Sequence, residues 1–182
     1  MSEEGSRRTD GLSDGVGAME PARCDAAGLL GALEAAGALL ERQAEAINAL
    51  NVFPVPDGDT GKNMLLTVQA ALEAARSAVA ANGKAGAAAA GLGAGALAAR
   101  VARGAMMGSR GNSGVILSQI LRGFARGLGG ADEVDGTLLA AALREAATTA
   151  YRAVQQPVEG TMLTIIRVAA EAAEASGGGG AG

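Results

Sequence analysis

Histidine is absent from all 182 residues, which removes histidine triads, histidine metal ligands and phosphohistidine chemistry from this chain. Aromatics are almost as scarce, with two Phe, one Tyr and no Trp, although 49% of the residues are apolar. The core must therefore be assembled from Leu, Val, Ile, Met and Ala, which favours helices packed closely through small residues. Cys24 is the single cysteine. No intrachain disulfide can form, a reducing compartment is the simplest inference, and Cys24 reads as an inert residue near the start of the ordered region. Basic runs are missing and the net charge is −4, which argues against a nucleic-acid surface. No apolar run reaches the ~18 residues of a membrane span. The amino terminus is polar and acidic, unlike a secretory signal. The expected location is the cytoplasm.

What is present is concentrated in three loops. The first is Asn51-Val52-Phe53-Pro54-Val55-Pro56-Asp57-Gly58-Asp59-Thr60-Gly61-Lys62-Asn63-Met64. Its prolines forbid a helix, its glycines permit tight backbone, and Asp57 and Asp59 stand one residue apart between them. Paired carboxylates of this kind suit Mg²⁺, which takes one or two of them plus water and substrate phosphates. A helical pattern begins at Thr60, so its free amides face the same space. Asp-Gly-Asp is also an ordinary turn composition, and Asp59 or Thr60 could simply cap the helix. Gly61-Lys62 lacks the spacing of a P-loop.

The second loop, Gly108-Ser109-Arg110-Gly111-Asn112-Ser113-Gly114, opens a helix through Leu121 and Phe124, with Asn112 or Ser113 placed as its N-cap. A small-residue loop entering a helix offers uncrowded amides and a positive dipole end to phosphates; a plain helix–helix turn is the alternative. The third, Gln156-Pro157-Val158-Glu159-Gly160-Thr161-Met162, breaks one helix and starts another. Around these loops, periodicity predicts about six helices and no strand. The first covers Asp25 to Ala49, with Leu29, Leu33, Leu40, Ile47 and Leu50 as its apolar stripe. The second runs from Thr60 to about Ala81, carrying Met64, Leu65, Val68 and Leu72. The third spans Ala96 to Met107. The fifth extends from about Thr137 to Val154, with Arg144 and Glu145 on its solvated face, and the sixth reaches about Ala175. Residues 1–22 read as a disordered leader, Asn82 to Gly95 as a Gly/Ala-rich connector, 23–176 as one helical domain and 177–182 as a flexible tail. In an up-and-down arrangement every second connection lies at the same end, so the three loops share one rim.

These stretches resemble the DAK2 (dihydroxyacetone kinase L-subunit-like) domain, in order and approximate spacing, over roughly residues 25 to 175. Within that family they look most like the amino-terminal domain of the fatty acid kinase A branch. The resemblance rests on Asn51 to Gly61, Arg110 to Gln119 and Pro157 to Thr164. It implies an all-α, antiparallel helical barrel or bundle (DhaL-like), here stopping before further helices that complete the family domain. It implies an ATP-dependent phosphotransferase with Mg²⁺ and ATP/ADP at one rim. Asp57 and Asp59 would be the catalytic metal ligands, and Asn51 is the nearest polar candidate for a third. Thr60 and Asn63 would contact phosphate or metal-bound water, Asn112, Ser113 and Gly114 would receive phosphates, and Thr161 and Met162 would flank the nucleotide. Lys62 stands where relatives often carry a small or neutral residue. The implied acceptor is a fatty-acid carboxylate held by a separate DegV/FakB-like lipid carrier, with homodimerisation through domains outside this chain. A glycerone-type kinase subunit and a non-catalytic ADP–Mg²⁺ module are the alternatives.

Overall fold

The computed structural model describes residues 22–52, 56–84 and 91–177. The expected leader up to residue 21, the Phe53-Pro54-Val55 segment, residues 85–90 of the connector and residues 178–182 of the tail lie outside the described residues.

Six helices follow in order: α1 (Ala26–Ala49), α2 (Thr60–Lys84), α3 (Ala94–Gly108), α4 (Gly111–Leu128), α5 (Gly136–Ala153) and α6 (Met162–Gly177). Each packs on its chain neighbour, and α2 also touches α4 while α1 touches α3. The result is the expected all-α, DhaL-like bundle. Among the described residues the sole β feature is an isolated bridge between Cys24 and Val134. Its paired backbone hydrogen bonds of 2.9 and 2.8 Å tie the approach to α1 onto the α4–α5 loop. The same loop caps α3, because the Asp132 and Ala131 carbonyls accept from the Ala94 and Gly95 amides.

Alanine builds most of the core. Ala71, Ala75, Ala105, Ala142, Ala146, Ala150 and Ala170 are fully buried, beside Leu97 and Leu163. Glycine brings the backbones closer still. A Cβ on Gly104 of α3 would stand 2.5 Å from the Ala74 Cβ and 2.6 Å from the Ala70 carbonyl oxygen of α2. A Cβ on Gly123 of α4 would stand 2.6 Å from the Ala146 Cα of α5. Both fall below van der Waals separation, so only glycine permits these crossings.

Several expectations need correction. Helix α2 continues three residues past Ala81 to Lys84, and α3 starts two residues earlier than expected. Leu50 is the C-cap of α1, 78% exposed, and does not belong to its buried stripe. Arg144 is exposed, as a solvated face requires, while Glu145 is half-buried, and both are ion-paired. Arg144 pairs with Glu174 of α6, and Glu145 receives Arg126 of α4 at 3.3 Å.

Candidate functional site

Residues of the first two loops meet directly. α2 and α4 both begin at the same end of the bundle, and the Ser113 hydroxyl donates to Thr60 Oγ1 at 3.3 Å. One turn deeper, buried Asn63 lies against Gly111, where any Cβ would overlap its side-chain amide. Deeper again, the Thr67 hydroxyl donates to the Asn63 carbonyl at 2.8 Å, and Gly114 leaves room for it. Three successive small-against-polar contacts thus set two helix N-termini side by side, where their dipoles add toward one patch of surface.

Gly111, at φ +57°, provides the bend that lets α4 start. The helix opens two residues earlier than Ser113, with Arg110 as N-cap and no side-chain capping bond. Asn112 and Ser113 are therefore in the first turn and are not caps; Ser113 spends its hydroxyl on Thr60. Gly114 is a buried helical residue and no part of the turn.

At α2 the cap comes from another helix. Asn48 Oδ1, on the last turn of α1, accepts from the Gly61 amide at 2.8 Å and the Lys62 amide at 3.2 Å. Gly61 is buried against the Ala44 carbonyl, with no space for a Cβ. Neither Asp59 nor Thr60 supplies a side-chain cap. Asn48 went unnoticed in the sequence; the Asn48/Asn51 pair flanking the end of α1 was the available signal. Lys62 itself is exposed.

Asp57 and Asp59 flank Gly58, whose φ of +66° makes the sharp turn between them. The Asn51 amide donates to Asp57 Oδ1 at 2.6 Å, so Asn51 orients that carboxylate. Among the described residues no group of three or more Asp, Glu, Cys or His gathers for a metal. The donor set is two carboxylates and an amide on partly open backbone. Hard-oxygen donors of this number fit Mg²⁺ when water and phosphate oxygens complete the shell.

The α5–α6 loop lies at the same end by alternation and has a network of its own. Glu159 accepts from the Tyr151 hydroxyl at 2.7 Å, the Thr164 hydroxyl at 2.7 Å and Arg167 at 3.0 Å. These partners, Thr164 foremost, hold its carboxyl down at about 2 and keep it ionised. Arg167 is correspondingly raised, through Tyr151, Glu159 and Glu171. Gly160, at φ +80°, turns its amide onto Thr164 Oγ1 at 2.8 Å. Thr161 donates to the Val158 carbonyl and accepts from the Leu163 amide, so its hydroxyl shapes the start of α6. Thr161 and Met162 are half-buried. Sequence reading passed over Glu159, although Thr164 and Arg167 at five and eight positions onward mark a loop-to-helix clamp.

A recess of about 640 Å³ lies elsewhere, in a groove between α2 and α3 lined by Ser77, Leu92, Arg100, Arg103 and Met107 among others. The rim is open loop surface. Dipole convergence and paired carboxylates, which mark charged ligands, outweigh cavity size in locating the candidate site.

The DAK2 domain model matches residues 54–181. That match begins after α1, whereas the resemblance read from the sequence reached back to about residue 25. Uncharacterized proteins of Staphylococcus aureus strains USA300 and COL are each 42% identical to this chain over 135 residues, which is 74% of this chain and 22% of theirs. The chain spans about a fifth of the length of these curated relatives. None of the described helices is long and apolar enough to cross a membrane.

Proposed function

The chain belongs to the DAK2 domain family, a kinase-related, nucleotide-binding group, and from that premise we propose that its rim binds ATP/ADP with Mg²⁺ in an ATP-dependent phosphotransferase. The observation that carries this reading is the juxtaposition of the α2 and α4 N-termini, joined by Ser113 and Thr60, beside Asp57 and Asp59.

Phosphoryl transfer requires in-line positioning and neutralisation of charge on the phosphate oxygens. Bound Mg²⁺ would supply that neutralisation across the terminal phosphates. Asp57 and Asp59 would hold it, with Asn51 fixing the angle of Asp57. The first-turn amides of α4 at Asn112 and Ser113 would face phosphate oxygens, and the paired dipoles would add positive potential. The Gly114 amide is already bonded to the Arg110 carbonyl at 3.0 Å, so Gly114 contributes only a close approach. At α2, Asn48 already engages the Gly61 and Lys62 amides, which leaves Thr60 and Asn63 as its polar contributions. Thr161 and Met162 would border the nucleotide.

The acceptor we favour is a fatty-acid carboxylate presented by a separate DegV/FakB-like carrier. A carboxylate oxygen attacks the γ-phosphorus, the bond to the β,γ-bridging oxygen breaks, and ADP and an acyl phosphate result. The acceptor is ionised near neutral pH, so the step needs no general base, in keeping with a chain that contains no histidine. Site and reaction are tested separately. Calorimetric titration with ADP or ATP should show binding with Mg²⁺ that disappears in EDTA and in Asp57→Asn/Asp59→Asn. A folded chain indifferent to both changes would refute the rim site. Acyl phosphate formation by the full-length protein with a fatty-acid-loaded carrier, absent with dihydroxyacetone, would establish the acceptor; the opposite pattern would replace it with a glycerone-type one.

A further inference from the structure

Helices α4 and α5 cross where Gly123 and Gly127 meet Ala146 and Ala142. Gly123 also faces Thr149, and long side chains stand beside that threonine. Arg122 and Arg126 of α4, Arg152 of α5, and Thr149 line a recess of about 110 Å³. Three guanidiniums, charged at every physiological pH, are thereby gathered in a protein whose net charge is −4.

The balance of charge there is incomplete. Glu145 takes Arg126 at 3.3 Å and also accepts from the buried Thr149 hydroxyl at 3.2 Å. Among the described residues Arg122 and Arg152 make no ion pair, although both border the same space. Arg152 lies in the last turn of α5, where the helix dipole favours a cation. Arg126 likewise lies in the last turn of α4, so helix geometry favours the charges on Arg126 and Arg152 but does not account for Arg122 bordering the same recess.

We propose that this recess is a second anion site, separate from the rim, that takes a compact oxyanion of the phosphate class. Guanidinium forks match tetrahedral phosphate oxygens in bidentate fashion. A recess of about 110 Å³ accommodates one such group. The rim and the recess share no residue, so the two sites can be separated by mutation. The phosphoryl group could arrive as the free ion or attached to a small ester.

The test is an NMR titration of the chain with inorganic phosphate, without Mg²⁺ and at low salt, read at backbone amides and arginine Nε signals. Saturable shifts are expected at Arg122, Arg126, Thr149 and Arg152. Affinity should fall at least about tenfold, equivalent to ~1.4 kcal/mol, in Arg122→Gln/Arg152→Gln. It should be unchanged in Asp57→Asn/Asp59→Asn, which the circular dichroism of both variants would show to be folded. Methyl phosphate distinguishes the sources. Equal or tighter binding of the ester indicates a carried phosphoryl group, and binding of inorganic phosphate alone indicates the free ion. Non-saturating drift, shifts centred on the rim, or an undiminished response in the arginine variant would overturn the proposal.

Discussion

Glu159 accepts hydrogen bonds from Thr164, Tyr151 and Arg167, and its carboxyl is lowered from an ordinary 4.5 to about 2. A depressed folded-state value means that ionised Glu159 favours the folded loop above the unfolded-state value, and that this contribution disappears as pH falls from about 4.5 to about 2. Tyr151 is the only tyrosine and there is no Trp, so its side-chain signals report on this loop without interference. Acid titration should move them over that window. Glu159→Gln should remove the transition, and a transition retained in the variant would assign it to another group. Asn48 permits a second prediction. Its Oδ1 caps α2 from a different helix, and loss of such a cap costs ~0.5–2 kcal/mol. Thermal unfolding of Asn48→Ala should show a loss in that range, while Asn48→Asp, which keeps the accepting oxygen, should recover most of it. Magnesium–nucleotide affinity should fall with Asn48→Ala as well, because the cap fixes where Thr60 and Asn63 stand.

Helices are where most of the sequence reading survives. All six were legible from apolar spacing, and their ends were legible within a few residues because Gly, Pro and Asp punctuate them: Asp25 and Asp135 each cap the following helix through a local carboxylate bond. Contacts between helices were not legible. Local preference put a cap on Asn112 or Ser113, but Ser113 hydrogen-bonds Thr60, 53 positions earlier, and no local rule anticipates that. The same limit hid Asn48 and the Arg126–Glu145 pair. Glycine shows the distinction most clearly, since two helical glycines with identical propensity serve different ends. A Cβ at Gly31 of α1 meets nothing within 4 Å, whereas at Gly104 of α3 it strikes α2. Gly31→Ala should stabilise by ~0.5–1 kcal/mol through helix propensity alone. Gly104→Ala should destabilise by ~1–3 kcal/mol because overpacking exceeds that gain. Denaturant unfolding of both would decide it, and equal signs would disprove the close crossing.

At the scale of the molecule, stability is distributed unevenly along the order of helices. α2, α3, α4 and α5 each have neighbours on two sides, but α6 rests chiefly on α5. α6 buries Leu163 and Ala170 while leaving Ile165 71% and Val168 49% exposed. Much of its attachment is ionic: Arg144 of α5 to Glu174, and Arg167 back to Glu159 of the loop. Exposed pairs of this kind contribute little each and weaken with salt, whereas apolar burial does not. Local opening follows the density of buried contacts, so amide hydrogen exchange should be slowest in α3 and the facing parts of α4 and α5, and fastest among the helices in α6. Raising ionic strength should accelerate exchange in α6 while leaving α3 unchanged, and Arg144→Gln should produce a similar acceleration at low salt. The rim combines both regimes. The α2 and α4 termini stand on the slowly opening centre, and the Thr161–Met162 start of α6 stands on the segment that opens first. If that division holds, nucleotide should slow exchange in α6 far more than in α3, because the greater gain in order falls on the helix with most freedom to lose. Uniform protection across the six helices would show instead that α6 is held as firmly as the centre and that its ion pairs contribute nothing to its docking.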